Sequence, residues 1–223
     1  MKLSTLFASA VLLLGAGATL QASQDKSDAK ADAAVVAAQL PSYPLDVCPK
    51  SKQPLGSMGD AINVVAEGRL VRVCCAGCVK GVKKDPAAAI KMIDEAVVKA
   101  QAASYPLETC AVSGQKLGSM GDPINLVHGT RLVRLCCAGC KKSFAKTPDK
   151  YMAKVDAALI AAQKKSYPID GCAVTDEPLG DAPIDILHGT QLVRFCCKGC
   201  VKAFKKNPAA TIAKIEAAKK KKG

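Results

Sequence analysis

The pentapeptide Cys-Cys-x-Gly-Cys occurs three times in this chain, and no other feature limits its fold as strongly. The copies are Cys74-Cys75-Ala76-Gly77-Cys78, Cys136-Cys137-Ala138-Gly139-Cys140 and Cys196-Cys197-Lys198-Gly199-Cys200. A lone upstream cysteine accompanies each of them. Cys48, Cys110 and Cys172 are spaced by 62 and 62 residues, while Cys74, Cys136 and Cys196 are spaced by 62 and 60. Tyr43-Pro44, Tyr105-Pro106 and Tyr167-Pro168 open the three segments in register. Self-similarity at such a period marks a repeat architecture. The units run over 42–103, 104–165 and 166–223, the last being two residues shorter between Leu179 and Pro183 and ending in a basic tail.

Units of about 60 residues bury too little apolar surface to be stable on that alone. The chain has no Trp, four Phe and four Tyr, and much of its hydrophobic fraction is Ala. Such a unit needs a disulfide or a metal, and twelve Cys are there to supply it.

Residues 1–22 read as a secretory signal, with Lys2 as the positive start, Leu6–Leu20 as the apolar run and Leu20-Gln21-Ala22 as the cleavage site. The run is short for a membrane span of roughly 20 residues, and no later segment is apolar enough to be one. This places the mature chain in the periplasm or outside the cell. Residues 23–41 are Ala-rich with scattered charge and read as a linker or a marginal helix.

Each repeat reads as β then α. In the second copy, Ile124–Val127 and Thr130–Leu135 are strand-forming runs around His128-Gly129, the pattern of a hairpin. Its second strand runs into the cysteine cluster, where a positive φ at Gly139 would let the backbone turn tightly. A short helix is expected over 140–146. Asp85-Pro86, Thr147-Pro148 and Asn207-Pro208 then each pair a cap residue with Pro at a helix start. In the following helix Tyr151, Val155 and Leu159 share one face, which suits packing on the hairpin or linking to the next repeat.

Four cysteines per repeat match a tetrahedral thiolate site. The candidate ligands are Cys48, Cys74, Cys75 and Cys78; Cys110, Cys136, Cys137 and Cys140; and Cys172, Cys196, Cys197 and Cys200. On a strand, neighbouring side chains diverge, so both members of a vicinal pair reach one ion only if the strand ends between them. Three thiolates would suit Cu+, and four would suit Zn2+. Two other readings stay open. Export favours disulfides, and an even cysteine count permits them. Cys75-Ala76-Gly77-Cys78 between strand and helix also suits a reactive low-pKa thiol, although the units are too short for a thioredoxin-like fold.

Cys, a spacer of 20-odd residues, Cys-x3-Cys, then Lys-x-Phe and Pro resembles the TRASH/YHS-type heavy-metal-binding domains. The matching residues are Cys110, Cys136, Cys140, Phe144 and Pro148, then Cys172, Cys196, Cys200, Phe204 and Pro208. The first copy has Cys48, Cys74, Cys78 and Pro86, with Val82 in place of Phe. The resemblance covers most of residues 43–222. It implies an α+β chain of three tandem treble-clef-like modules, each a β-hairpin, a cysteine turn and one or two helices, serving metal sensing, carriage or storage. Cys75, Cys137 and Cys197 are additional to the family pattern.

The formal charge of +13 suggests nucleic acid. However, the lysines are dispersed, the strands carry no aromatic platform, and export removes most such partners. Three thiolate sites of net charge −2 would halve the excess left after loss of Lys2, to about +6. An acidic envelope polymer or protein partner fits the remainder. His128 and His188, whose place Ala66 takes in the first copy, read as turn residues. Arg72, Arg134 and Arg194 are placed either to offset thiolate charge or to face solvent. Met58 and Met120 read as loop residues, and Tyr43, Tyr105 and Tyr167 as core anchors. No hydrolase triad, phosphate loop or haem motif is present, which argues against an enzyme.

Overall fold

The computed structural model describes residues 17–222, with side chains for 28–221. The leader therefore lies mostly outside the described residues. Helix α1 (Gly17–Gln39) covers most of the Ala-rich segment, and a short 3-10 turn, Leu40–Ser42, leads into the first repeat. Each repeat is then hairpin, helix, helix. The first holds β1 (Ile62–Ala66), β2 (Arg69–Val73), α2 (Ala76–Lys84) and α3 (Ala87–Gln101). The second holds β3 (Ile124–His128), β4 (Arg131–Leu135), α4 (Ala138–Lys146) and α5 (Pro148–Lys164). The third holds β5 (Ile184–His188), β6 (Gln191–Phe195), α6 (Lys198–Lys206) and α7 (Pro208–Lys222).

The three two-stranded sheets are antiparallel, with equivalent registers such as Val64 opposite Val71 and Leu126 opposite Val133. Glu67 and Gly68 both have positive φ in the first turn, the pattern of a type I′ hairpin. Gly129 and Gly189 supply a single positive φ in the other two. His128 ends its strand, paired with Arg131, and the turn falls one residue later than expected.

The second strand of each hairpin is apolar on both faces: Leu70, Val71 and Val73 are buried, as are Leu132, Val133 and Leu135. A strand alternates its side chains, so two elements must cover it. Val71 and Val73 enter the core of their own repeat, with Val82, Ile93 and Val97. Leu132, on the other face of β4, enters the first repeat's core instead. The long helix α3 thus covers the hairpin of the second repeat, and α1 and α5 cover those of the first and third.

A glutamine near the end of each such helix secures the joint. Gln101 accepts from the Leu132 amide at 2.9 Å and donates to the Thr130 carbonyl at 2.8 Å. Gln39 does the same with Leu70 and Gly68, and Gln163 with Leu192 and Thr190. The tyrosines anchor the same strands: the Tyr43, Tyr105 and Tyr167 hydroxyls accept from the Arg72, Arg134 and Arg194 amides at 3.0–3.2 Å.

Gly139 departs from the sequence expectation. It has no positive φ, because Ala138–Lys146 is already helical and the chain turns by starting α4 two residues early. Pro opens α5 and α7 as expected. In the first copy Asp85 accepts from the Ala87 amide at 3.3 Å.

Candidate metal centre

Each cysteine cluster forms where a tight turn, a strand end and a helix start meet. The turn carries the lone cysteine. In the first repeat the Cys48 amide donates to the Gln53 carbonyl at 2.8 Å, and the Cys48 carbonyl accepts from the Lys52 amide at 2.8 Å. The chain reverses through one residue of positive φ, filled by Lys52, Gly114 or Asp176. The strand ends at Val73, Leu135 or Phe195, immediately before the vicinal pair. The second member of that pair is the N-cap of a nine-residue helix, with φ between −154° and −159°. The backbone is still extended there, so the two neighbouring side chains diverge. The first turns inward; the second stands at the helix start.

Three sulfurs per repeat therefore converge. Cys48, Cys74 and Cys78 have sulfurs within 4.8 Å of one another, as do Cys110, Cys136 and Cys140, and Cys172, Cys196 and Cys200. The Cys74–Cys78 separation is 4.0 Å, and Cys136–Cys140 and Cys196–Cys200 are each 3.7 Å. An ion about 2.3 Å from each sulfur needs sulfurs roughly 3.8–4.0 Å apart, so this spacing fits one metal. Cys75, Cys137 and Cys197 lie outside these mutual groups. Their sulfurs approach only part of the trio, at 3.6, 3.7 and 3.8 Å from those of Cys78, Cys140 and Cys200. None of the twelve cysteines is in a disulfide.

The trio is electrostatically uneven. Burial would raise the Cys48 thiol, but the Ser51 hydroxyl and amide, with the Cys74 and Lys50 amides, outweigh it and hold the thiol at about 6. Cys110 and Cys172 are likewise lowered to about 6. Burial and the crowding of neighbouring sulfurs push Cys78, Cys140 and Cys200 up to about 12. One ligand is therefore pre-ionised, while another surrenders its proton only to a strong competitor such as a metal.

A hydroxyl three residues after the lone cysteine joins each cluster. Ser51 lies 3.2 Å from the Cys74 sulfur and Ser113 lies 3.3 Å from Cys136; Thr175 is 4.0 Å from Cys196. The signal for these residues was their common register in all three repeats.

The other candidates lie apart from the sulfurs. Arg72, Arg134 and Arg194 sit over the rings of Tyr43, Tyr105 and Tyr167 at 5.8–6.0 Å, and Arg194 also bonds Asp185. His128 and His188 pack edge-on against Phe144 and Phe204, with centroids 5.5 and 5.3 Å apart. Ala66 and Val82 stand at the matching positions of the first repeat, both within one apolar cluster. The histidine is thus a packing partner of the phenylalanine, and the two change together. Met58 and Met120 are exposed in their loops.

The site defines a class: three equivalent cysteine trios, each able to hold a metal ion. Comparison with family models, with curated proteins and with solved structures found no match to this chain. Among the described residues, no helix is long and apolar enough to cross a membrane.

Proposed function

We propose that this chain is an exported, non-enzymatic protein that carries or stores a thiophilic metal, one ion per repeat. The observation that carries the reading is the convergence of three sulfurs in each cluster. One disulfide would use two of them and leave the third to a second bridge with the N-cap cysteine, whereas a single ion uses all three at once. Thiolate softness and coordination by three favour Cu+ over Zn2+. The positive end of each nine-residue helix helps offset the thiolate charge. A turn cysteine joined to a hairpin and a helix start is also how a treble-clef module would present its ligands, in keeping with the TRASH/YHS-type resemblance. The leader over 1–22 and the dispersed lysines support delivery to an envelope compartment with acidic polymers nearby.

The specific alternative is Zn2+ with the N-cap cysteine as a fourth resident ligand, favoured by the 3.6 Å approach of Cys75 to Cys78. Native mass spectrometry with elemental analysis and a thiol count, on protein recovered from its own compartment, tests the proposal. Three ions with intact thiols are expected, on a chain beginning after Ala22. Metal-free protein without free thiols would replace the reading with a disulfide-stapled one.

A further inference from the structure

Each cluster carries one thiol more than its trio uses, and that thiol is on the outside. Cys197 is exposed, and Cys75 and Cys137 are partly so; of the nine trio cysteines only Cys78 and Cys196 are partly exposed, and Cys48 and Cys172 are fully buried. A donor or acceptor cannot reach the buried turn cysteine directly. Any metal arriving or leaving must first exchange ligands with a sulfur at the surface. The extra thiol is also within 3.6–3.8 Å of one trio member, close enough for both to bind a single ion at once.

Helix capping does not explain the residue. Ser, Thr, Asp and Asn are the preferred N-caps, and Cys75, Cys137 and Cys197 make no side-chain capping bond. Core packing explains it only in part: Cys75 and Cys137 touch the edges of their cores without being buried, and Cys197 is exposed, whereas a cysteine kept as a small hydrophobe is buried. Yet it stands at the same solvent-accessible helix start in all three repeats.

On the reading that each trio holds Cu+, we propose that Cys75, Cys137 and Cys197 are transfer ligands. Each forms the first bond to a Cu+ ion handed over by a thiol-bearing donor and relays the ion inward. In the first repeat a Cu–S bond to Cys75 forms as a Cu–S bond to the donor breaks. Bonds to Cys78, Cys74 and Cys48 follow, and the Cys75 bond is released. Copper stays monovalent throughout. Each ligating thiol gives its proton to water, and each departing thiolate takes one up. Unloading runs the same steps in reverse.

The test compares the full chain with a C75S/C137S/C197S variant, both loaded anaerobically with Cu+. Native mass spectrometry counts the ions, and stopped-flow mixing with bicinchoninate, a chromophoric Cu+ chelator, follows their release. Three ions are expected in both proteins, with transfer from the variant slower by about tenfold or more, the scale on which groups beside a metal act. Iodoacetamide on the loaded parent chain is expected to label Cys75, Cys137 and Cys197 while the three ions stay bound. This second readout does not depend on the variant folding. Equal transfer rates would overturn the proposal. So would protection of all twelve thiols together with weaker binding in the variant, which would make the extra cysteine a resident ligand. A parent chain that binds no Cu+ would instead remove the metal reading on which the relay rests.

Discussion

Ser113 touches the Cys136 sulfur through its hydroxyl and the Cys110 sulfur through its amide, the latter at 3.5 Å. A hydrogen bond to a charged acceptor contributes about 1.5–3 kcal/mol, so Ser113→Ala is expected to weaken metal binding at the second site roughly tenfold or more and leave the other two unchanged. Competition with a chelator, resolved by site, measures this. The same bonds set a pH dependence. Cys48, Cys110 and Cys172 remain thiolates down to about 6, and metal binds only the deprotonated form. Affinity is therefore expected to fall as pH is lowered and to fall more steeply once pH passes below about 6, where these three also take up protons. Chelator competition on either side of that pH checks the change of slope. Replacing Cys110 with Ser removes the pre-ionised ligand of one trio and is expected to reduce the bound ions from three to two by native mass spectrometry.

At the level of elements, the joint between a helix and the next hairpin rests on two hydrogen bonds from one side chain. Gln101→Ala leaves the Thr130 carbonyl and the Leu132 amide without partners in a half-buried setting. Each unsatisfied group costs about 1–3 kcal/mol when buried, so a loss of about 2 kcal/mol or more is expected in urea unfolding. Gln101→Glu keeps the acceptor for Leu132 but removes the donor to Thr130, and should also destabilise. The short helices work differently. They start directly after the vicinal pair, so the strand end, the N-cap and the third ligand are held within five residues of one another. That economy explains why a nine-residue helix with only Val82 buried, as in α2, can still position a ligand.

Across the molecule, the segment from Gln39 to Ser42 links all three hairpins. Gln39 bonds the first. The Thr130 hydroxyl in the second turn donates to the Gln39 carbonyl and lies 2.7 Å from the Ser42 hydroxyl. In the third turn, a Cβ on Gly189 would come within 2.9 Å of the Ser42 Cβ, and Gly189 has a φ of +63°. A left-handed conformation costs a residue with a side chain roughly 1–2 kcal/mol, and the contact adds to that. Gly189→Ala is therefore expected to lower the thermal midpoint, while Gly180→Ala, with a φ of +69° but open space around it, carries the backbone cost alone. A larger drop for Gly189 than for Gly180 would establish the contact with the Ser42 segment.

The sequence by itself determined the threefold period, the hairpin ahead of each cysteine cluster, the helix pair behind it and the twelve candidate ligands. Those are local matters of spacing, β-branching and proline position, which any stretch of the chain declares. The motif resemblance already left Cys75, Cys137 and Cys197 over, but only the tertiary structure brought three sulfurs of each repeat together and set the fourth apart. That division turns on the extended φ at Cys75, Cys137 and Cys197, which sends adjacent side chains apart, and no spacing distinguishes it from a strand ending one residue later. The glutamines and the hydroxyls were visible as repeats too, at 39, 101 and 163 and at 51, 113 and 175. They carried no meaning until the next repeat's backbone, or a sulfur 21 to 23 residues away, was brought beside them. A polar side chain acquires its role from the partner it meets, and that partner is chosen by packing.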